Sequence, residues 1–294
     1  MREMRLLDMD NDVVLKRSEG RFHRFYWSFG ACMRAFLKHI PPVIGVDGCH
    51  LRGKYPGCLI MATALDGNNH LLPFAFAVVE IEKKSTWKWF LEMLRGTIGY
   101  FTQPLVIITD RMRGLVSKEG DIVEQVFPEC HHGYCIVHLS KNLVGKTNDV
   151  VAASLFWAAA RSRTEGHFQQ VMHIISREHN EAFQYISQIP PERWANAFFP
   201  AKRYGMLSTN CAESMNSVMK KSRSLPICAM VEATRKKYSE YFYKRHCSSA
   251  QWDTTLTPNK EDVLKKNLNV RGGLPSIDAL SLNFKSRGRI AAML

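Results

Sequence analysis

Two aspartates stand directly after short apolar runs that are typical of buried strands. Residues 43–46 precede Asp47, and residues 105–109 precede Asp110. Ligands of open α/β sheets collect beyond the carboxyl ends of the strands, so acids that end two neighbouring strands can face one site. Carboxylate oxygens are the ligands that Mg²⁺ prefers, and two such ions can activate the attacking oxygen and stabilise the leaving oxygen of a phosphodiester. The two aspartates therefore predict metal-dependent chemistry on a phosphodiester.

Glu213 is the natural candidate for a third metal ligand. It lies on a helix predicted over about residues 211–221, opposite the apolar positions Met215 and Met219. Its carboxylate can therefore project beyond the packed face of that helix.

The same three acids also fit a different role, in which they cap a helix or a turn and bind no metal. Asn210 and Glu213 have the spacing of a helix capping box, in which the glutamate returns to a backbone N–H. Asp47 and Asp110 also fit strand ends whose carboxylates cap the following turn. The spacing alone leaves both interpretations open.

The surrounding pattern predicts a mixed α/β sheet that brings these acids together. Strands are predicted over residues 43–47, 58–65 and 71–81 as an antiparallel meander, and over 105–110 and 132–135 as later members of the sheet. A crossover helix capped by Ser85 is predicted between the third and fourth strands, and a second helix over about 113–126.

Five segments follow from this pattern. We predict a lead-in strand or hairpin over 1–40, a first part of the core over 41–138, a helical insertion over 139–205, two core helices over 206–247 and a weakly ordered tail over 248–294.

The charge balance favours a polyanionic partner. Among 294 residues, lysine and arginine number 40 against 27 aspartates and glutamates, an excess of +13. Nucleic acid is the leading candidate. No run approaches the twenty or so apolar residues of a membrane span, so we expect no membrane partner.

A basic helix predicted over about residues 229–245 is a candidate DNA contact. Its cations are Arg235, Lys236, Lys237, Lys244 and Arg245. They can follow the phosphates of DNA, but a solvated helix face would show the same pattern.

One short segment is rich in residues that bind zinc. It contains Cys130, His131, His132, Cys135 and His138. The alternation of a strand directs neighbouring side chains to opposite faces, which disfavours one tetrahedral site made from all five.

Seven blocks of sequence resemble one known family. They are DGCHLRGKY at 47–55, TALDGNN at 63–69, FAFA at 74–77, WKWFL at 87–91, DRMRGL at 110–115, YCIVH at 134–138 and TNCAESMN at 209–216. Together they resemble the transposase domain of Mutator-like elements (MULE), in that family's order, from about Phe22 to about Leu264.

The resemblance implies a ribonuclease H-like mixed sheet, three antiparallel strands followed by parallel ones, with an all-helical insertion before the last catalytic helix. It places Asp47, Asp110 and Glu213 on the family's three catalytic acids, which hold two Mg²⁺ or Mn²⁺ ions. Cys135 and His138 fall on its C-x-x-H pair, expected to organise local structure or contact DNA. The implied activity is that of a DDE-type transposase, which cleaves DNA and transfers the strand. The implied partners are transposon ends, target DNA and further copies of the chain, in the nucleus.

Two departures from the family lead to a competing hypothesis. Met112 stands where the family commonly carries histidine, and the family's flanking zinc modules are missing, so we expect a fragment or a degenerate copy without recognition of specific DNA ends. The competing hypothesis is a domesticated, catalytically inactive protein that binds DNA or regulates transcription, as the transposase-derived far-red-response regulators of plants do.

Overall fold

A computed structural model describes residues 11–54, 56–99, 103–111, 114–117 and 120–270. The strands are β1 (Val13–Ser18), β2 (Arg21–Ser28), β3 (Val43–His50), β4 (Cys58–Leu65), β5 (Leu71–Val79), β6 (Val106–Thr109), β7 (Val116–Ser117), β8 (Gly120–Asp121) and β9 (His131–Tyr134). The α-helices are α1 (Gly30–His39), α2 (Lys84–Ile98), α3 (Ile122–Val126), α4 (Ile136–Thr147), α5 (Val150–Arg161), α6 (Glu165–Glu178), α7 (Asn180–Ser187), α8 (Asn210–Val218), α9 (Ile227–Ser249) and α10 (Pro258–Val270). Within the described ranges, no helix is both long and apolar enough to cross a membrane.

Seven of the strands form one mixed sheet in the order β1-β2-β5-β4-β3-β6-β9. Strands β3, β4 and β5 form the predicted antiparallel meander, and β6 and β9 continue the sheet in parallel with β3. In the β3–β6 pair, Gly45 stands opposite Ile108. Asp47 and Asp110 each follow two residues later, so they lie level with each other at the same end of the sheet.

The N-terminal segment is part of this sheet. The hairpin of β1 and β2 confirms the predicted lead-in, and β2 joins the meander by antiparallel pairing with β5. Helix α1 was not predicted from the sequence. It buries Met33 and Phe36 in the same core as α2.

Two of the predicted helices differ in detail. Within the predicted helix 113–126, residues 116–117 and 120–121 instead pair as the small β7–β8 hairpin, where Gly120 has a positive φ of 116°, and only Ile122–Val126 is helical among the described residues. Ser85 does not cap α2. The helix begins at Lys84, and the Thr86 hydroxyl accepts a hydrogen bond of 2.9 Å from the backbone N–H of Lys83.

The stretch predicted to be a helical insertion is helical and has its own core. Helices α4 to α7 pack around a cluster that includes Phe156, Phe168 and Trp194. The rings of Phe156 and Trp194 lie 4.7 Å apart. Both tryptophans of the stretch contribute to packing, since Trp194 is buried and Trp157 lies against the cluster while donating a hydrogen bond to Ser140.

The predicted tail is ordered over part of its length. Helix α10 docks on the β4–β5 turn, where the Thr257 hydroxyl donates to the carbonyl of Gly67 at 2.7 Å and the backbone N–H of Asn259 donates to the side chain of Asn68 at 2.9 Å. The prediction of a weakly ordered segment is therefore wrong for residues 258–270, and residues 271–294 lie outside the described part of the chain.

The two faces of the sheet are covered by different helices. Ile44 and Val46 of β3 face the core formed with α1 and α2. Val43 faces the opposite side, with Met206 and Cys211. Because strand side chains alternate, Asp47 shares that opposite side with Val43 and Gly45.

Gly45 permits the close approach of α8 to β3. A Cβ atom at this position would lie 2.7 Å from the Sγ of Cys211 and 3.0 Å from the Cε of Met206. We expect Gly45→Ala to lower the free energy of unfolding by about 1–3 kcal/mol, because the packed helix has to shift. Urea unfolding measures this change.

Gly145→Ala in α4 is the matched control. A Cβ there meets nothing within 4 Å, and alanine is favoured over glycine in a helix by about 0.5–1 kcal/mol. A loss of stability that is equal in the two variants would contradict the close-approach explanation.

Candidate functional site

Asp47 lies within β3 instead of at its end. The strand continues to His50 because residues 47–50 pair with β4, whereas the parallel neighbour β6 stops at Thr109. The prediction that Asp47 terminates its strand is wrong in this respect. Asp47 is nevertheless level with Asp110, which is the first residue after β6. The parallel pairing of β3 and β6 ends near this point.

Helix α8 brings two polar side chains to the same point. The Nδ2 of Asn216 donates a hydrogen bond of 2.8 Å to the Oδ2 of Asp47. Glu213 precedes Asn216 by three residues and therefore lies on the same face of the helix. Its Oε1 is 3.7 Å from the Nδ1 of His138, and its Oε2 is 4.0 Å from the Nζ of Lys141.

The carboxylates of the site influence one another electrostatically. Burial raises the pKa of Asp47 to about 7, with a further contribution from the charge of Asp110. The charges of Glu213 and Glu82 also raise the pKa of Asp47, and His138 lowers it. A divalent cation among these groups would relieve the repulsion that favours the protonated acid.

Glu213 does not cap its helix. The N-cap residue is Thr209, and no side chain caps this helix start in the described structure. Only the backbone N–H of Glu213 bonds to Thr209, at 2.9 Å. The Oε1 of Glu213 is buried and has no hydrogen-bond partner among the described residues. The capping-box interpretation is therefore wrong, and the carboxylate is available to a ligand.

Glu82 is a fourth acid that the sequence analysis missed. A Cβ atom on Gly48 would lie 2.6 Å from the Oε1 of Glu82, so this carboxylate packs against the backbone next to Asp47. Burial raises the pKa of Glu82, and the charge of Asp110 raises it further. Strand β5 runs in the same direction as β3, so an acid soon after β5 reaches the same end of the sheet. A search for acids after every strand of that direction would have found it.

Cys135 and His138 lie beside Glu213. Cys135 is the N-cap residue of α4, and its Sγ accepts hydrogen bonds of 3.3 Å from both the backbone N–H and the hydroxyl of Thr209. Burial alone would raise the pKa of the thiol, but hydrogen bonds with His138 and Thr209 lower it below its usual value. The hydrogen bond with Cys135 raises the pKa of His138 to about 9.

The rest of the cysteine and histidine cluster lies elsewhere. His132 is held between the Oδ2 of Asp121 at 2.6 Å and the hydroxyl of Thr109 at 2.8 Å. Cys130 is buried in the core of the α1 and α2 face. The expectation that strand alternation divides this cluster is confirmed.

Two of the cations predicted on α9 have partners within the chain. Arg235 pairs with Glu232 on its own helix. Arg245 donates to the carbonyl of Leu71 at 2.8 Å, near the β4–β5 turn and away from Asp47. Contact of Lys236, Lys237 and Lys244 with DNA stays a prediction.

Other cations lie on or after elements of the site. Lys141 of α4 is 4.0 Å from Glu213, Arg52 and Lys54 follow β3, and Lys220 and Lys221 follow α8. All five are exposed. The loop after β3 is fixed near the end of α8 because the backbone N–H of Arg52 donates to the carbonyl of Arg223 at 2.9 Å. We call these five residues the basic rim. They were not predicted from the sequence because they are isolated along the chain.

A family model described as the MULE transposase domain matches residues 43–142. The resemblance noted in the sequence is confirmed over that range, which contains Asp47, Asp110, Cys135 and His138. Glu213 lies beyond it. Met112, the departure from the family beside Asp110, lies outside the described residues. No curated protein matches the chain. The family match indicates a transposase or a protein derived from one.

Proposed function

We propose that this chain carries a DDE-type catalytic domain that cleaves DNA phosphodiesters and transfers the freed strand to a target. The observation that carries the proposal is the approach of α8 to β3 at the level of Asp47. The Asn216–Asp47 hydrogen bond of 2.8 Å fixes that approach, and it brings Glu213 into electrostatic range of Asp47. The match to the MULE domain supports it.

The sheet supports a ribonuclease H-like assignment of the fold. Its part β5-β4-β3-β6-β9 has three antiparallel strands followed by two parallel ones. That is the arrangement implied by the resemblance. The helical stretch between residues 136 and 205 precedes α8, as an insertion before the last catalytic helix would.

The donor set fits two divalent ions, Mg²⁺ or Mn²⁺. Asp47, Asp110 and Glu213 would hold them, because Asp110 and Glu213, on separate elements, lie within electrostatic range of Asp47 and carboxylate oxygens are the ligands that Mg²⁺ prefers. When bound, such ions stabilise the negative charge that develops on the attacking and leaving oxygens. Asn216 orients the Asp47 carboxylate through its hydrogen bond.

The basic rim suits the phosphate backbone of DNA. Its five exposed cations lie on or after elements that carry residues of the site, and the chain has an excess of +13 charges. Contacts from lysine and arginine to phosphates position a duplex without identifying its sequence. The rim would therefore hold DNA of many sequences over the acids, as expected for a target site. Such a protein would act in the nucleus.

A nicking assay on supercoiled DNA with Mg²⁺ or Mn²⁺ tests the proposal. We expect Glu213→Gln to slow nicking by about 10²-fold, because it removes a negative ligand and about 3 kcal/mol of transition-state stabilisation. Glu240→Gln on the exposed face of α9 is the matched control and is expected to nick at the wild-type rate. Equal rates in wild type and Glu213→Gln would overturn the assignment of Glu213.

The second candidate is a domesticated protein that binds DNA without cutting it. Met112, in place of the family's usual histidine beside Asp110, is the observation that favours it. Tight binding of DNA with no metal-dependent nicking by the wild type would support this alternative against the enzyme.

A further inference from the structure

A second cluster of ligand atoms adjoins the proposed catalytic acids. One side-chain atom each from Cys135, His138 and Glu213 lies within 4.8 Å of the other two. These residues come from the start of α4 and the start of α8, so the packing of two helices brings them together. The cluster combines a thiol, an imidazole and a carboxylate.

Two atoms of the cluster lack hydrogen bonds. The Nδ1 of His138 and the Oε1 of Glu213 are both buried without a partner among the described residues, and they face each other at 3.7 Å. Buried polar atoms are normally paired, so this pair indicates a group that binds both. The distance is too long for a direct hydrogen bond but is close to the separation of two ligands on one tetrahedral metal ion.

The surroundings of Cys135 suit a metal-bound thiolate. Its Sγ accepts two hydrogen bonds of 3.3 Å from Thr209, one from the backbone N–H and one from the hydroxyl. Such outer contacts orient a ligand and stabilise its negative charge. Thr209 is fully buried at the start of α8, so these donors are fixed.

The ligand types select a different metal from that of the catalytic acids. Thiolate and imidazole suit Zn²⁺ and related transition metals, whereas Mg²⁺ prefers oxygen alone. Three protein ligands leave the fourth position of a tetrahedral zinc ion to water or another oxygen.

We propose that Cys135, His138 and Glu213 form a binding site for a transition-metal ion of the Zn²⁺ class, and that this ion competes with Mg²⁺ for Glu213. The competition rests on the proposed function, because it requires Glu213 to serve the catalytic site, whereas the binding does not. Zn²⁺ would draw the Glu213 carboxylate away from Asp47 and Asp110. Occupation of this site would then inhibit DNA cleavage.

Titration of the metal-free full chain with Co²⁺ tests the binding. A thiolate ligand gives Co²⁺ a charge-transfer band in the near ultraviolet. We expect the wild type to develop this band with one equivalent of Co²⁺, and Zn²⁺ to remove it. Cys135→Ser should abolish the band, and His138→Ala should weaken binding at least 10-fold.

Two other cysteines provide matched controls. Cys130 is buried in another core cluster, and Cys211 lies in the first turn of α8 with its Sγ against Gly45. The band should persist in Cys130→Ser and in Cys211→Ser. No band in the wild type, or a band lost in Cys211→Ser and kept in Cys135→Ser, would overturn the proposal. Circular dichroism of each variant separates loss of the site from loss of the fold.

A variant of Thr209 tests the hydrogen bonds that this residue donates to Cys135. Thr209→Val removes the hydroxyl donor and keeps the backbone N–H, and we expect it to weaken Co²⁺ binding by about 10-fold. Unchanged affinity in this variant would count against a thiolate ligand at Cys135.

Competition is measured separately from binding. Addition of Zn²⁺ should inhibit Mg²⁺-dependent nicking, and Cys135→Ser should raise the Zn²⁺ concentration required by at least 10-fold relative to the wild type. Asp47→Asn should keep the Co²⁺ band while losing nicking. A wild type that binds Co²⁺ but never nicks DNA would refute the proposed function and leave the metal site intact. A wild type that nicks DNA but gives no band would overturn the metal site and leave the proposed function intact.

Discussion

Asp110→Asn is expected to slow Mg²⁺-dependent nicking of DNA by at least about 10³-fold, which corresponds to about 4 kcal/mol of lost transition-state stabilisation. Asp110 directly follows the neighbouring parallel strand β6 and lies level with Asp47, which is why we propose that the two acids share metal ions. Asparagine keeps the shape of the side chain but removes its negative charge. The loss should exceed that of Glu213→Gln, because Glu213 already has the cations Lys141 and His138 beside it.

Single-turnover nicking rates of the purified proteins measure this effect. Asp253→Asn is a suitable control, because Asp253 is exposed beyond the end of α9. Its rate should equal that of the wild type. Residual nicking within about 10-fold of the wild type in Asp110→Asn would show that Asp110 is no metal ligand.

Asp47→Asn is expected to make the metal-free protein more stable at pH 8 by about 2 kcal/mol. The pKa of Asp47 rises from 3.8 to about 7 on folding. Such a pKa shift corresponds to about 4 kcal/mol of unfolding free energy. We expect about half of this value, because water reaches part of the site and screens the charges. The folded protein keeps a proton that the unfolded chain releases, so the contribution of Asp47 to stability is fully present below pH 3.8 and is lost as the pH rises to about 7.

Urea unfolding in the presence of EDTA, at several pH values between 4 and 8, measures this effect. The wild type should lose stability across that window, and the dependence on pH should be much weaker in Asp47→Asn. Mg²⁺ at pH 8 should stabilise the wild type and have little effect on the variant. A pH dependence that is identical in the two proteins would contradict the assigned pKa of Asp47.

Local sequence signals were sufficient for the central strands. Long apolar runs and the turn at residues 66–69 predict β3, β4 and β5, because burial and turn chemistry are both encoded locally. The extension of β3 past Asp47 depends on pairing with β4, and the order of α10 depends on the docking of Asn259 on that turn. Neither contact is visible in a window of neighbouring residues.

The candidate site was predictable in part for the same reason. Asp47 and Asp110 have a local signature in the apolar runs that precede them. Asn216 and Glu82 do not, because their positions depend on contacts with β3 over large separations in the chain. Arg245, which its charge predicted as a DNA contact, also donates a hydrogen bond to the carbonyl of Leu71, and this partner has no signal in the local sequence.

The hydrogen bond between Asp47 and Asn216 joins residues that are 169 positions apart. About 100 residues lie between Asp110 and Glu213, and a ribosome needs roughly 5–20 s to add them. During that interval a nascent chain has both aspartates and lacks the glutamate. The order of synthesis would therefore delay the proposed cleavage activity until Glu213 has been translated, which would separate the start of synthesis in time from any action on DNA.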